Sequence, residues 1–247
     1  MSFDEPRLRA LVRGDGCVLR PQTYFVAWNG VLALVYDGFP PVLAGIKARL
    51  NEEDGLPPEN FGSRWPKTTL AALNDDAPPL SLAELTRLRA LCEEHASKLS
   101  LRVPVEHLSF VSYDQRGLES VRERSDVALG SAVDDAEPSD AERERVRGVL
   151  DEWSDLEAYL PRVNAPGSRI GSYREASPRG STLVAFIGDS ELRELVAQFR
   201  SAVDALLPGR YAWLDDASLH CTVRALSLIH ISEPTRQEAI SYAVFCL

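Results

Sequence analysis

The sequence is poor in cysteine, and its four cysteines, Cys17, Cys92, Cys221 and Cys246, are scattered along the chain. No two of them form a CxxC pair or take the spacing of metal ligands, which excludes zinc ribbons and CxxC redox sites. Glycine-rich nucleotide loops and the GxSxG and HExxH motifs are missing as well. We therefore expect no metal and no cofactor, and a reduced intracellular compartment.

Long apolar runs are also missing, since no stretch approaches the ~18 residues that a membrane-spanning helix needs. Residues 1–16 are charged throughout and lack the apolar centre of a signal peptide. We therefore expect a cytoplasmic protein that engages no membrane. The formal net charge of -10 excludes a broad nucleic-acid-binding surface, which needs clustered basic residues. A nucleic-acid substrate would have to be recognised locally, at an end or at one phosphodiester.

Two segments of the chain share the order strand, helix, strand, which predicts an α/β to α+β fold. Apolar runs predict the strands, and apolar residues at helical spacing predict the helices. Lys67 to Leu73 aligns without a gap with His220 to Leu226, which favours a weak internal duplication, although two unrelated α/β units would also look alike. The predicted strands and helices of the two segments are 30–37, 42–50 and 64–73, then 181–187, 190–206 and 211–225.

The sequence between these two segments predicts a connector that divides the chain into two units. Capping boxes at Ser81 and Ser139 predict helices that run to residues 99 and 160. A strand is predicted over 103–113, a loop over the acidic stretch 125–138, and a linker over 161–180, which is rich in Pro, Gly, Ser and Arg. We expect an N-terminal α/β unit over 1–120, an acidic and helical connector over 121–180 and a second unit over 181–225.

The last 22 residues, LSLIHISEPTRQEAISYAVFCL over 226–247, resemble the translation of a transposon-based sequencing adapter. The alternative is an ordinary hydrophobic C-terminal strand. If the adapter interpretation holds, residues up to Ala225 belong to the natural protein. Residues 226–247 then have no part in its function.

The strand that ends at Ala225 carries the candidate chemistry. Side chains alternate across a strand with period two, which predicts one face of hydroxyl, imidazole, hydroxyl and guanidinium groups and one apolar face. Such a polar row can bind an anion or move protons, although a plain exposed face is the other interpretation. The four polar residues are Ser218, His220, Thr222 and Arg224.

The stretch from Thr182 to Ala225 resembles the first lobe of the two-histidine phosphoesterases, the superfamily of 2′-5′ RNA ligase-like proteins and cyclic phosphodiesterases. The matching features are an apolar strand from Leu183 to Ile187, then Asp189, then an amphipathic helix and the motif His220-Cys221-Thr222. The resemblance implies metal-independent chemistry at a 2′,3′-cyclic phosphate or 2′-5′ phosphodiester of RNA or a nucleotide. It assigns acid–base catalysis to His220 and phosphate binding to the hydroxyl of Thr222.

The chemistry of that family needs two such motifs facing each other, because one histidine cannot hold and lack a proton at once. The resemblance places the second motif downstream, so the C-terminal lobe is expected to be truncated and inactive as written. Two upstream alternatives are open. Lys67 and Thr69 occupy the aligned position and would form a degenerate lobe or no site, while His107 and Ser109 form a second His-x-Ser on a strand.

The sequence thus predicts a fragment of a phosphoesterase whose catalytic residues are His220 and Thr222, with Ser218 and Arg224 as phosphate contacts. The substrate would be an RNA end or a nucleotide-type phosphodiester. The competing hypothesis is a non-catalytic interaction or structural protein that has lost this chemistry.

Overall fold

A computed structural model describes residues 5–59, 61–176 and 180–227. In this part of the chain, helices alternate with strands, as the periodicity predicts. The helices are α1 (Glu5–Leu11), α2 (Pro41–Asn51), α3 (Leu82–Ala96), α4 (Asp140–Leu150), α5 (Leu156–Val163), α6 (Ile170–Arg174) and α7 (Ser190–Leu206). The strands are β1 (Asp15–Leu19), β2 (Pro21–Val26), β3 (Leu32–Tyr36), β4 (Lys67–Leu73), β5 (Val103–Val105), β6 (His107–Tyr113), β7 (Val121–Ala128), β8 (Gly130–Asp134), β9 (Gly180–Phe186), β10 (Tyr211–Trp213) and β11 (His220–Ala225).

An eight-stranded antiparallel sheet runs through both segments that the sequence singled out. Its strand order is β2-β3-β4-β11-β9-β6-β7, and β10 pairs with β4 beside this path. A three-stranded sheet of order β5-β1-β8 lies apart from it. The mixed α/β prediction is confirmed in this coarse form, whereas an origin of the two segments by duplication stays a prediction. The shared sheet makes β4 and β11 neighbours, and this neighbourhood builds the candidate site.

Three helices cover one face of the large sheet. Tyr24, Leu34, Thr68 and Cys221 form one row across β2, β3, β4 and β11, because directly paired residues of antiparallel strands point to the same side. On that side, the ring of Tyr24 stacks on Phe199 of α7 with a centroid distance of 3.9 Å. Helices α2 and α3 pack there as well, and the main apolar core lies between these helices and the sheet.

The helices begin where their caps predict. Ser81 and Glu84 form a complete capping box, in which the Ser81 hydroxyl accepts from the Glu84 amide and the Glu84 carboxylate accepts from the Ser81 amide. Ser139 caps α4 by accepting from the amide of Glu142. The helix predicted from Ser139 to residue 160 is in fact two helices, since Asp155 caps a new one at α5. Among the described residues, no helix is long and apolar enough to cross a bilayer.

The acidic stretch 125–138 is not the predicted loop, because it contains the second half of β7 and all of β8. Strand β7 pairs with β6 along its whole length and lies at the edge of the large sheet. Edge strands commonly carry exposed charges that prevent further pairing. Strand β7 therefore lacks the apolar alternation on which the sequence prediction depended.

Two further predictions need correction. The closing strand predicted over 211–225 is interrupted by a 3-10 turn at Asp216–Ser218, which separates β10 from β11. The linker predicted over 161–180 contains the end of α5 and the short helix α6, and both pack on the rest of the molecule. Strands β1 and β2 were not predicted at all.

The expected boundary at Ala225 falls at the last residue of β11. The next two residues continue the pairing, since the Leu226 amide donates to Ser181 O at 2.8 Å and the Ser227 hydroxyl accepts from the Ser181 amide at 2.8 Å. Leu226 is buried. The rest of the adapter-like segment, 228–247, lies outside the described residues.

Candidate functional site

The candidate site forms where the Lys67-x-Thr69 motif of β4 lies beside the His220-x-Thr222 motif of β11. Thr68 pairs with Cys221 and points toward the helices, so the residues on either side of each point to the opposite face. There they line two overlapping cavities of about 40 and about 190 Å³, which we call the central cavity. Gly62, Lys67, Thr69, His220 and Thr222 line both parts of it.

His220 is held in one orientation by its own chain. Its Nδ1 lies 2.6 Å from the backbone oxygen of Ser218, and because a carbonyl can only accept, Nδ1 carries a hydrogen. The other ring nitrogen, Nε2, is then the one that can exchange a proton. Burial lowers the pKa of His220, and the positive charge of Lys67 lowers it further, against the opposing effect of the Ser218 carbonyl. The imidazole is therefore neutral near pH 7 and suited to act as a base.

Lys67 occupies the position that corresponds to His220 on the neighbouring strand. Its ammonium group donates to the backbone oxygen of Gly62 and lies 4.1 Å from the centre of the Trp65 ring. A cation is attracted to the face of an indole, so these two contacts fix the charge at the mouth of the central cavity. The hydroxyls of Thr69 and Thr222, one on each strand, complete a polar surface.

Arg116 adds a second positive charge to the central cavity, and sequence reasoning missed it. It lies in the turn after β6, in the sequence Asp114-Gln115-Arg116-Gly117, where the only signal was a basic residue in a turn. The amide of Gly117 donates to Tyr173 O at 3.1 Å, and Gln115 Nε2 donates to Arg174 O at 2.7 Å. These bonds hold the turn against α6.

The charge of the central cavity is opposite in sign to that of the whole chain. Its described lining contains Lys67 and Arg116 and no carboxylate, although the chain has a net charge of -10. Two cations, two threonine hydroxyls and one neutral imidazole can bind an anion such as a phosphoryl group. They can also remove one proton from a bound nucleophile.

Arg224 does not belong to this site, and the prediction that it shares a face with His220 is wrong. A bulge between Thr222 and Arg224 inserts one extra residue into β11, so Arg224 pairs with Leu183 on the helix-covered face. Its guanidinium donates to Pro57 O at 2.5 Å and to Ala225 O at 2.6 Å, and the residue is 2% exposed. The predicted phosphate contact thus lies buried on the face opposite the central cavity.

Ser218 contributes its backbone rather than its side chain. It ends the 3-10 turn before β11, where its hydroxyl donates to Asp215 O at 2.7 Å and is buried. The lining of the central cavity does not include Ser218. The residue therefore orients His220 through its carbonyl, and its hydroxyl lies outside the central cavity.

The structure does not bring His107 and Ser109 to the central cavity. The Ser109 hydroxyl donates to the carboxylate of Asp126 at 2.6 Å, and His107 is exposed at the start of β6. Strand β9 separates β6 from β11. Of the two upstream alternatives, only Lys67 and Thr69 lie beside His220.

A buried lysine on the opposite face supports the loop that leads into β4. Lys47 of α2 is 6% exposed and pairs with the carboxylate of Glu59. The same ammonium donates to Ser63 O at 2.7 Å and to Val223 O at 2.8 Å. Lys47 thus joins the loop next to Gly62 to strand β11. It links the backbone beside the two motifs on the helix-covered face of the sheet, opposite the central cavity.

Within the described ranges, no group of three or more His, Cys, Asp and Glu residues is placed to hold a metal ion. Comparison of the chain with protein-family models, with curated proteins and with solved structures found no match. The chemistry of the central cavity is therefore the basis on which a function can be argued.

Proposed function

We propose that the central cavity binds a phosphodiester and promotes its hydrolysis, with a 2′,3′-cyclic phosphate or a 2′-5′ linkage of RNA or a nucleotide as the substrate. The observation that carries this proposal is the placement of Lys67-x-Thr69 and His220-x-Thr222 on adjacent strands, facing one cavity whose described lining has no carboxylate. The resemblance to two-histidine phosphoesterases supports the same reaction. Lys67 occupies the position of β4 that aligns with His220 of β11.

The proposed reaction divides its work between the two strands. Water attacks phosphorus, and its proton passes to Nε2 of His220 as the new P–O bond forms. The P–O bond to the leaving ribose oxygen breaks, and that oxygen takes a proton from the Lys67 ammonium. The charges of Lys67 and Arg116 stabilise the extra negative charge on the phosphoryl oxygens. Exchange with solvent returns the proton from His220 to Lys67 and leaves one phosphomonoester.

The test is turnover of adenosine 2′,3′-cyclic phosphate by the full chain, followed by separation of substrate and monoester. We expect slow hydrolysis that is lost in His220→Ala. The matched control is His107→Ala, which removes an exposed histidine outside the cavity and should leave the rate unchanged. Equal rates for the protein and for His220→Ala would overturn the assignment of His220 as the base.

A second candidate function is binding of the phosphodiester without turnover. Lys67 favours it, because a lysine is a strong phosphate ligand but gives up its proton reluctantly at neutral pH. The two functions differ in one measurement. Saturable binding of the cyclic nucleotide with no monoester formed, in both the protein and Lys67→His, would favour the non-catalytic function.

A further inference from the structure

A second cavity of about 270 Å³ opens beside the central cavity and has a different chemistry. Four aromatic side chains line it, and it shares Gly62, Trp65, Lys67, Thr69 and Tyr173 with the central cavity. We call it the ring cavity. Its aromatic residues are Phe25, Trp28, Trp65 and Tyr173.

The connector predicted from sequence builds one wall of the ring cavity. Val149, Glu152, Arg162, Ala165 and Ser168 all lie in that segment and face the aromatic side chains of the N-terminal region. This wall is held by hydrogen bonds across the cavity. The connector therefore lines one cavity together with the N-terminal region.

The cross-cavity bonds join the turn after β2 to the connector. The indole N–H of Trp28 donates to Glu152 Oε2 at 2.6 Å, and the side chain of Asn29 donates to Ala165 O at 3.0 Å. Asn29 has a φ of 62°, in the left-handed region that asparagine tolerates better than most residues. These contacts hold the aromatic turn and the connector at a fixed spacing.

Each of three aromatic rings around the two cavities has a cation over its face. Arg162 lies 5.1 Å from the centre of Trp28, Lys67 lies 4.1 Å from Trp65, and Arg116 lies 5.0 Å from Tyr173. Flat rings stack on guanidinium planes as well as on aromatic side chains. Such a lining suits a ligand that combines a planar ring with negative charge.

One buried donor also lacks a partner. Trp65 is 5% exposed and lines both cavities, yet its indole N–H has no acceptor within the part of the chain that the structure describes. An unpaired buried N–H costs free energy unless a bound group accepts from it.

We propose that the ring cavity binds the planar heteroaromatic ring of a ligand whose phosphoryl group lies in the central cavity. An apolar cavity of roughly 150 Å³ already holds benzene, so about 270 Å³ accommodates a ring of nucleobase size. The inference rests on the proposed function for its phosphoryl half only. It assigns ring selection to the connector, which carries none of the residues of the two motifs.

The experiment measures affinity by calorimetry for three probes on the full chain. Adenosine 2′,3′-cyclic phosphate has a ring and a phosphate, adenosine has the ring alone, and glycerol 1,2-cyclic phosphate has the phosphate alone. We expect the ring to strengthen binding of the cyclic phosphate at least tenfold. Equal affinity for the two cyclic phosphates, or no binding of either adenosine compound, would overturn the inference.

Two substitutions locate the effect. Ala165→Leu fills the ring cavity and should remove the tenfold gain while leaving glycerol 1,2-cyclic phosphate unchanged, and Ala90→Leu on the exposed side of α3 is its matched control. Trp28→Ala should act like Ala165→Leu, and thermal melts show that each variant is folded. Retention of the full gain in both folded variants would place the ring elsewhere and overturn the inference.

The same measurements separate this inference from the proposed function. Lys67→Met should weaken both cyclic phosphates more than it weakens adenosine, because Lys67 also lines the ring cavity. If Lys67→Met has no effect while Ala165→Leu still weakens adenosine compounds, the phosphodiester function fails and the ring site stands. If Lys67→Met weakens both phosphates but the ring adds nothing, the ring site fails and the phosphodiester function stands.

Discussion

Strands β4 and β11 carry the same pattern, a long nitrogen-bearing side chain two residues before a threonine, but they hold it differently. On β11, the Ser218 carbonyl fixes a neutral imidazole. On β4, the Gly62 carbonyl and the Trp65 ring fix an ammonium group. One strand thus presents a base and the other a cation. The difference teaches that the two strands take unlike parts in the proposed reaction: β11 provides the base, and β4 provides the cation that also protonates the leaving oxygen.

The largest effect should come from removing the base. His220→Ala should lower turnover of adenosine 2′,3′-cyclic phosphate by about 10²–10⁴-fold, the usual contribution of a general base. Phosphate binding should persist, because Lys67 and Arg116 remain. Initial-rate kinetics check the turnover and calorimetry checks the binding. An unchanged rate in this variant would show that His220 is not the base, and that β11 does not differ from β4 in this respect.

The next largest effect should come from Lys47, which joins the loop before β4 to β11 on the helix-covered face of the sheet. Lys47→Met leaves the Glu59 carboxylate without its cation, and such a loss typically destabilises a protein by about 3 kcal/mol or more. Urea denaturation measures the free energy of unfolding, with exposed Lys98→Met as the control. The double variant Lys47→Met/Glu59→Gln should recover part of the loss. No change in Lys47→Met would mean that the loop and β11 are joined by other contacts.

Removal of the cation on β4 should act on binding more than on stability. Lys67→Met should weaken the cyclic phosphate about tenfold or more, since a hydrogen bond to a charged group contributes ~1.5–3 kcal/mol. Lys67→Arg keeps the charge and should retain most of the affinity. Calorimetry of both variants gives the comparison, and equal weakening by both would show that Lys67 acts through its shape and not through its charge.

The smallest effect concerns pH. The base is the neutral form of His220, so activity should be present above its pKa and lost as pH falls through it. Because burial and Lys67 lower that pKa, the acidic limb of the profile should lie below that of an ordinary histidine. Lys67→Met should move the limb upward, yet not to the ordinary position, since burial is the larger cause. An unchanged pH profile in Lys67→Met would show that the charge of Lys67 does not affect the pKa of His220.

Much of the fold could be predicted from local patterns. Helical spacing and caps located α2, α3 and α7, and apolar runs located β3, β4 and β9. The edge strand β7 was not predicted, because its charged residues do not show the apolar alternation of a buried strand. Its position at the edge is set by the whole sheet and cannot be read from the segment alone. For the same reason, sequence reasoning could not show that β4 is the neighbour of β11, since strand order is set by long-range pairing.

The candidate site was predicted in part. His220 and Thr222 lie in the central cavity with Lys67 and Thr69, while Arg224 and the Ser218 hydroxyl lie outside it. Period-two counting failed at Arg224 because the bulge adds a residue to β11. Arg116 was missed because its place depends on a turn that α6 holds.

The bulge in β11 changes which residues of the strand point into the central cavity. Up to Thr222, every second side chain enters the cavity; past Val223, the count starts again with Ala225. The number of residues between Thr222 and Ala225, and not their chemical type, decides which of them meets a ligand. Deletion of Val223 would therefore leave Arg224 opposite Leu183 and Ala225 in the cavity wall, whereas a β11 of the present length without the bulge would place the guanidinium there instead of the methyl group.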